Sequence, residues 1–296
     1  IPQDVEGHLQ QSNLSTVQRA TDLYSWQDFI AINWVANPSY RGRPDVTLPL
    51  SAQGPRVWET WKETNEIYNS KGTRPPSWNT KEILPSQCQG TSKLLYRTSK
   101  ANDILDSKAQ ALPANAIFPV TLKDQQGHLV RYEIRMNETA FNYIVRNRLY
   151  DGQVQQRAFK INYPAGSQLV KAAWRQIQPE QSASFLSTKA CLCDQSTGGT
   201  LENCHPQIMG LAGLHVMSKT PSAPQWIWSS FEQEDNIVTK NQWVEPLNDP
   251  LCPASLCPPN MQTPDLPQPV PTQLSRVTPI PDQAPDCSLP EESKDN

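Results

Sequence analysis

Proline is distributed unevenly along the chain, and this limits which part of it can build a core. The 296 residues contain 28 prolines, 13 of which follow Glu245, where aromatic residues are absent. Proline lacks a backbone N–H and fixes φ, so such a segment cannot form helices or inner strands. We therefore expect three regions: a polar arm over 1–20, a single globular domain over 21–244, and an extended proline-rich, cysteine-containing tail over 245–296.

The composition favours a location outside the cytoplasm. Apolar residues make up 37% of the chain and charged residues only 19%, so neutral polar side chains must cover much of the surface. A net charge of −3 and a pI near 5.9 argue against nucleic acid as a partner. No apolar run reaches the roughly 18 residues that a membrane-spanning helix needs. We expect a periplasmic or secreted protein.

The first residues support the same expectation. The sequence begins Ile1-Pro2-Gln3-Asp4, with neither a start methionine nor the apolar core of a signal peptide. We interpret this as the mature end left after a signal peptide is removed, with proteolytic trimming as the alternative.

Seven cysteines occur in the chain, and several lie in proline-rich or polar segments, as is typical of disulfides in exported proteins. Order alone cannot give the pairing. The local pairs that we expect first are Cys252 with Cys257, and either Cys191 or Cys193 with Cys204. The odd number leaves one cysteine over, as a free thiol, a link to a partner or half of an incomplete bridge.

The N-terminal part of the domain predicts helices. Leu23, Trp26, Ile30 and Trp34 recur at spacings of three and four, which predicts a helix from Thr21 that buries this stripe. A second helix is predicted over 57–71 from a more aromatic stripe. Asn137 is a suitable N-cap for a third helix, whose core positions include Phe141 and Ile144.

The rest of the domain predicts strands. A hairpin is predicted with strands over 118–122 and 128–136, and the runs 169–177, 208–217 and 225–231 are dense in β-branched and aromatic residues. We therefore expect an α+β fold, in which N-terminal helices pack on a largely antiparallel sheet or sandwich and the tail lies over its surface.

Strand alternation suggests one candidate site. If the three last strands are neighbours, one face combines indoles, a carboxylate, a histidine and cations, as in a sugar-binding cleft. The candidate catalytic residues are Glu232, Asp235 and His215, and the candidate ligand-binding residues are Trp226, Trp228, Lys171 and Arg175. Structural roles explain these residues better than a site does, because tryptophan is a common core residue and a histidine within an apolar strand usually forms a structural hydrogen bond.

Cofactor motifs are incomplete. Cys191, Cys193, Cys204 and His205 have the composition of a zinc site but not its usual spacing, so we expect disulfides and no metal. Haem attachment requires C-x-x-C-H, and Leu201 occupies the position of the first cysteine before Cys204-His205, so we expect no haem and no other cofactor. Nucleotide, serine-hydrolase and zincin motifs are also absent from the sequence.

Several phrases resemble a family of uncharacterised exported bacterial proteins. They are Trp26-Gln27-Asp28-Phe29-Ile30-Ala31-Ile32-Asn33-Trp34, Val57-Trp58-Glu59-Thr60-Trp61-Lys62, Leu169-Val170-Lys171-Ala172-Ala173-Trp174, the run 210–232 and the tail phrase 271–279. Some members are labelled cytochrome c-like because they carry a C-terminal haem-attachment segment. This chain lacks that motif, and the resemblance brings no activity and no site residues with it.

These observations predict an exported binding or assembly protein, acting in the periplasm or at the cell surface on another protein subunit or on a second copy of itself. One alternative is a carbohydrate-active hydrolase or lyase that uses the aromatic and acidic sheet face, with carbohydrate as its ligand. The other is an accessory subunit or haem-less relative of a secreted redox protein.

Overall fold

The computed structural model describes residues 1–5, 14–69, 71–98, 122–124, 126–196, 199–236 and 247. Within these residues the helices are α1 (Leu14–Ile32), α2 (Thr64–Ile67), α3 (Glu138–Arg146) and α4 (Gly152–Arg157). The strands are β1 (Lys62–Glu63), β2 (Leu94–Leu95), β3 (Arg131–Met136), β4 (Gln168–Gln176), β5 (Ser187–Gln195), β6 (Leu201–Ser218) and β7 (Ile227–Glu232). Short 3-10 turns cover Trp58–Thr60, Ser86–Cys88, Pro179–Ala183 and Glu234–Asn236.

The seven strands form one sheet around β6. The order is β1-β3-β4-β6-β5-β2, and β7 pairs with the second half of β6. Every pairing is antiparallel except that between β2 and β5. The expected α+β class and the largely antiparallel sheet are therefore confirmed. No helix in the described ranges is long and apolar enough to span a membrane.

Helix α1 packs on the sheet through a different stripe from the predicted one. Its buried residues are Tyr24, Asp28 and Ile32, while Leu23, Trp26 and Ile30 are 38%, 58% and 43% exposed. Asp28 is the anchor, because its carboxylate accepts hydrogen bonds from Nε2 of Gln168 (2.6 Å) and Oγ of Ser218 (2.7 Å). The prediction was wrong because apolar spacing identified a helix face without showing which face meets the core.

The second predicted helix is also wrong. Residues 58–67 form a 3-10 turn, the two-residue strand β1 and the single turn α2 in succession. Trp58 and Trp61 are nonetheless fully buried in the core, as predicted for the helix, although they do not lie on one continuous helix. Glu63 caps α2 by accepting a hydrogen bond from the backbone N–H of Asn65, which satisfies one helix-end donor.

The third predicted helix is confirmed. The side chain of Asn137 accepts a hydrogen bond from the N–H of Ala140, as expected of an N-cap, and Phe141 and Ile144 are buried. The return strand of the predicted hairpin is present as β3. In the described region, the two arms of the predicted hairpin pair through one isolated antiparallel bridge, between Lys123 and Leu129. Most of the first predicted strand, 118–122, lies outside the described residues.

Both faces of β3 are buried, including the face that carries charges. Arg131, Glu133 and Arg135 are at most 6% exposed. Glu133 accepts hydrogen bonds from Nζ of Lys93 and Nε1 of Trp174, both at 2.8 Å. The ammonium of Lys93 lies 4.9 and 4.4 Å from the ring centroids of Trp58 and Trp174. This arrangement satisfies the charges inside the core, as burial of an ion requires.

The same charge cluster extends to the edge of the domain. Its acidic members are Glu59, Glu63, Glu66, Glu82 and Glu133, and its basic members are Arg41, Lys62, Lys93, Arg97 and Arg135. Equal numbers of acidic and basic groups avoid an uncompensated buried charge. The cluster therefore ties the loops over 41–97 to β3.

Candidate functional site

The most distinctive feature of the exterior is an apolar strip on α1. Leu23, Trp26 and Ile30 follow one another at helical spacing on the exposed side of α1. The indole of Trp26 makes edge contacts with Phe29 and Phe231, with ring centroids 5.9 and 5.2 Å apart, so it is held in place although it is exposed. A fixed, exposed tryptophan is a common anchor in protein interfaces.

The strip leads into a groove at the C-terminal end of α1. A concave space of about 440 Å³ lies between the helix and the following loop and is lined by Ile1, Gln27, Ile30, Ala31, Trp34, Pro44 and Val46. The indole N–H of Trp34 donates to the carbonyls of Asp45 (3.1 Å) and Leu48 (2.9 Å), which fixes the loop against the helix end. We call Leu23, Trp26, Ile30 and this groove the α1 surface.

The sheet face expected from strand alternation is partly assembled on the opposite side of the sheet. The cross-strand register places Lys171 of β4 beside His215 of β6, and His215 beside Ser230 of β7. His215 Nδ1 and Ser230 Oγ are hydrogen-bonded at 2.7 Å. Trp228 and Glu232 each lie two residues from Ser230 along β7, so they are on the same face as Ser230, and both are exposed.

The other candidates do not join that face as a group. Trp226 precedes β7 and packs against Tyr163, with ring centroids 5.6 Å apart. Arg175 lies at the far end of β4, buried, with its guanidinium 4.9 Å from the ring centroid of Phe185. Asp235 lies in the 3-10 turn after β7, and its side chain is outside the described part of the structure.

Leu247 covers part of the same sheet face. Its side chain is 1% exposed and clusters with Val130 and Tyr132, and Ala173 packs against the cluster. Ala173 is two residues from Lys171 on β4, so an apolar contact borders the polar group of Lys171, His215 and Ser230. The described residues here form a sheet surface bordered by a buried leucine, and the catalytic role of Glu232 and His215 stays a prediction.

Two disulfides are present in the described part of the chain. Cys193 is bonded to Cys204, which is one of the two alternatives expected for Cys204, and Cys191 is bonded to Cys88. The second bond joins residues 103 positions apart, and no local spacing signals it. Cys252 and Cys257 lie outside the described residues.

Two carboxyl groups of the charge cluster have strongly shifted pKa values. Burial raises the pKa of Glu82 to about 7, because the nearby charge of Arg135 does not offset its desolvation and the repulsion of Glu63 and Glu66. Burial acts in the same direction on Glu133, but the charges of Arg135 and Lys93 outweigh it and hold the pKa of Glu133 at about 2. Glu82 lies at the half-buried edge of the cluster and Glu133 at its centre.

Sequence reasoning missed the α1 surface and the charge cluster. The residues of the surface were identified, but they were assigned to the core. The signal that could have corrected this is the alternative stripe of Tyr24, Asp28 and Ile32, which has helical spacing but contains an aspartate. Nothing in the sequence indicates that Lys93 and Glu133, 40 residues apart, form an ion pair.

No protein-family model, curated protein or solved structure matches the chain.

Proposed function

We propose that the protein is an extracytoplasmic assembly protein, in which the α1 surface of one copy binds the proline-rich tail of another. The observation that carries the proposal is the exposed strip of Leu23, Trp26 and Ile30 leading into an apolar groove. An exposed apolar surface that includes a fixed tryptophan favours a partner that removes it from water.

The chemistry of the tail suits this groove. Residues 264–271 read Pro-Asp-Leu-Pro-Gln-Pro-Val-Pro, a composition that favours the polyproline II conformation. Proline-rich segments of this kind dock in grooves lined by aromatic side chains, because they lose little conformational entropy on binding. Trp34 and the neighbouring Pro44 and Val46 provide such a lining.

The position of Leu247 favours docking between copies. Leu247 packs against Tyr132 and the flanking residue Ala173, whereas α1 contacts the other face of the sheet through Phe29 and Phe231. Residues that follow Leu247 would have to pass around the sheet to reach the α1 surface of their own chain. A neighbouring copy can present its α1 surface without that detour.

Two observations support an extracytoplasmic location. Two disulfides close within the described residues, and protein disulfides persist mainly in oxidising compartments. The chain is also poor in charge, since only 19% of its residues are Asp, Glu, Lys or Arg. The resemblance to exported bacterial proteins is consistent with this proposal.

Sedimentation equilibrium of the full chain over a range of concentrations tests the proposal. We expect concentration-dependent association that is lost in Trp26→Ser/Ile30→Ser and in Pro267→Ala/Pro269→Ala/Pro271→Ala. Ile83→Ser is the matched control, because Ile83 is 90% exposed and is not part of the α1 surface. A full chain that stays monomeric, or surface and tail variants that associate like the Ile83→Ser control, would contradict assembly by this route.

The pairing of Lys171, His215 and Ser230 favours the second candidate, a carbohydrate-active hydrolase or lyase. Its test is activity on oligosaccharides with Glu232→Gln, compared with Glu234→Gln in the following 3-10 turn. Loss of activity in the first variant alone would support it. The third candidate, a haem-less accessory subunit, predicts that a haem protein copurifies with the chain.

A further inference from the structure

The two disulfides lie side by side and bring four sulfur atoms together. Cys191 and Cys193 are two residues apart in β5, so their side chains lie on the same face of the strand. Their Sγ atoms are 3.7 Å apart although they belong to different disulfides. The Sγ atoms of Cys191, Cys193 and Cys204 all lie within 4.8 Å of one another. Cys88 is bonded to Cys191 and completes the group.

The separation of the Cys191 and Cys193 sulfurs matches that of two ligands in a tetrahedral thiolate site. Zinc–sulfur bonds of about 2.3 Å place the sulfur atoms of a tetrahedral site about 3.8 Å apart. Cys191 and Cys193 already have this separation on a paired strand. Cys204 lies on the adjacent strand β6 and Cys88 on the 3-10 turn Ser86–Cys88, so each bond joins β5 to a different segment. Reduction of the bonds frees both sulfurs to separate from their partners.

The surroundings limit the access of solvent to the sulfur atoms. Cys88, Cys191 and Cys193 are at most 1% exposed, and Leu84, Leu94, Leu201 and Tyr96 pack around them. The guanidinium of Arg131 donates to the carbonyl of Cys193 at 3.1 Å. This hydrogen bond ties the backbone of Cys193 to β3. Cys204 is half-buried, which leaves one sulfur near solvent as the entry point for a reductant and an ion.

We propose that Cys88, Cys191, Cys193 and Cys204 form a Zn²⁺ site when both disulfides are reduced. Each disulfide takes two electrons and two protons from a dithiol, which leaves as its own cyclic disulfide, so that two dithiols give four protein thiols. Zn²⁺ then replaces the thiol protons, which pass to water. The same four residues thus form two disulfides under oxidising conditions and a tetrathiolate site under reducing conditions, independently of the assembly function.

Cobalt binding tests the site. The starting variant has Cys252, Cys257 and Cys287 replaced by serine, so that its only thiols after reduction are the four at issue. After reduction with dithiothreitol and anaerobic removal of the reductant, we expect one Co²⁺ per chain, with thiolate-to-cobalt charge transfer and the visible bands of tetrahedral cobalt. Zn²⁺ should displace the cobalt, and adding Cys193→Ser should abolish the spectrum.

His205→Ala in the same background is the matched control, because His205 follows Cys204 but lies opposite Leu192 and not beside the sulfurs. It should leave the cobalt spectrum unchanged. Circular dichroism with and without Zn²⁺ shows whether the reduced chain is folded, and recovery of native ellipticity by one Zn²⁺ supports the site even if the metal-free reduced chain unfolds. Absence of tetrahedral cobalt bands, or bands that persist in Cys193→Ser, overturns the proposal.

Discussion

The ammonium of Lys93 lies 2.8 Å from Oε1 of Glu133, and the two side chains are 2% and 1% exposed. Lys93 immediately precedes β2, and Glu133 is in the middle of β3. Glu59 contacts the same ammonium at 2.6 Å, and two indoles flank it. A loop and an inner strand are thus joined by charges that water cannot reach.

Lys93→Met should reduce the free energy of unfolding by about 3–5 kcal/mol, because it leaves the buried carboxylate of Glu133 with one partner fewer. Urea unfolding measures the change. Lys93→Met/Glu133→Gln should cost less than the sum of the two single variants, since the charges are coupled. Arg148→Met is the control, because Arg148 is 67% exposed and 4.0 Å from Asp151. Equal effects of Lys93→Met and Arg148→Met would contradict the prediction.

The raised pKa of Glu82 leads us to expect that the protein loses stability as the pH rises. Its pKa is about 7 in the folded protein and its ordinary value is 4.5, so between these pH values the folded state binds more protons than the unfolded state. The free energy of unfolding therefore falls from about pH 4.5 to about pH 7. Glu82→Gln should flatten this decline when urea midpoints are compared at pH 5 and 8. The same dependence in Glu82→Gln as in the unmodified protein, or flattening by Glu180→Gln, would refute the assignment.

The lowered pKa of Glu133 leads us to expect that the protein loses stability as the pH falls into the acid range. Its folded-state pKa of about 2 lies below its ordinary value of 4.5, so the stability that it contributes is present above pH 4.5 and is lost as the pH falls toward 2. Glu133→Gln should weaken the dependence of the urea midpoint on pH over this range. Glu138→Gln at the start of α3 is the comparison variant, and equal profiles for the two variants would contradict the prediction.

Removing the Asp28 carboxylate, which anchors α1 to the sheet, should lower the free energy of unfolding. Asp28→Ala removes the acceptor of the shortest hydrogen bonds that the buried Gln168 and Ser218 side chains donate, which should cost about 1–3 kcal/mol. Asp22→Ala, at an exposed position on the same helix, should change stability by about 0.5 kcal/mol or less. Urea unfolding followed by circular dichroism distinguishes them, and similar midpoints would rule out Asp28 as the anchor.

Two glycines of β6 provide a matched pair. A methyl group at Gly210 would lie 2.7 Å from Cδ1 of Phe185 and 2.9 Å from Cγ2 of Ile177, whereas one at Gly213 meets no atom closer than 3.8 Å. Gly210→Ala should therefore destabilise the protein by about 1–3 kcal/mol. Gly213→Ala should be tolerated. Thermal unfolding measures the difference between the two variants. Equal midpoints would contradict the close packing around Gly210.

Local patterns predicted the parts of the fold that local physics determines. The N-cap at Asn137 and the dense strands that became β4, β6 and β7 depend on residues close together in sequence. Alternation also placed Lys171 and His215 on one face, on the condition that their strands are neighbours, and the structure pairs them. These features required no knowledge of distant contacts.

The features that were missed depend on distant contacts. A helix with two usable stripes is oriented by its partners, and Asp28 selects the buried face through donors on β4 and β6. The bond between Cys88 and Cys191 and the pair of Lys93 and Glu133 each join segments that are far apart in sequence. Alternation along β3 separated its charges from its apolar residues, but it could not show that loops over 41–97 bury the charged face.

The central position of β6 has a consequence for how the molecule opens. Its 18 residues pair with β4 on one side and with β5 and β7 in succession on the other. Detaching this strand would break its pairing with three others at once, and β7 would lose its only partner among the described strands. Backbone amides in β4, β5 and β7 should therefore exchange their hydrogens with solvent through one shared opening event rather than strand by strand.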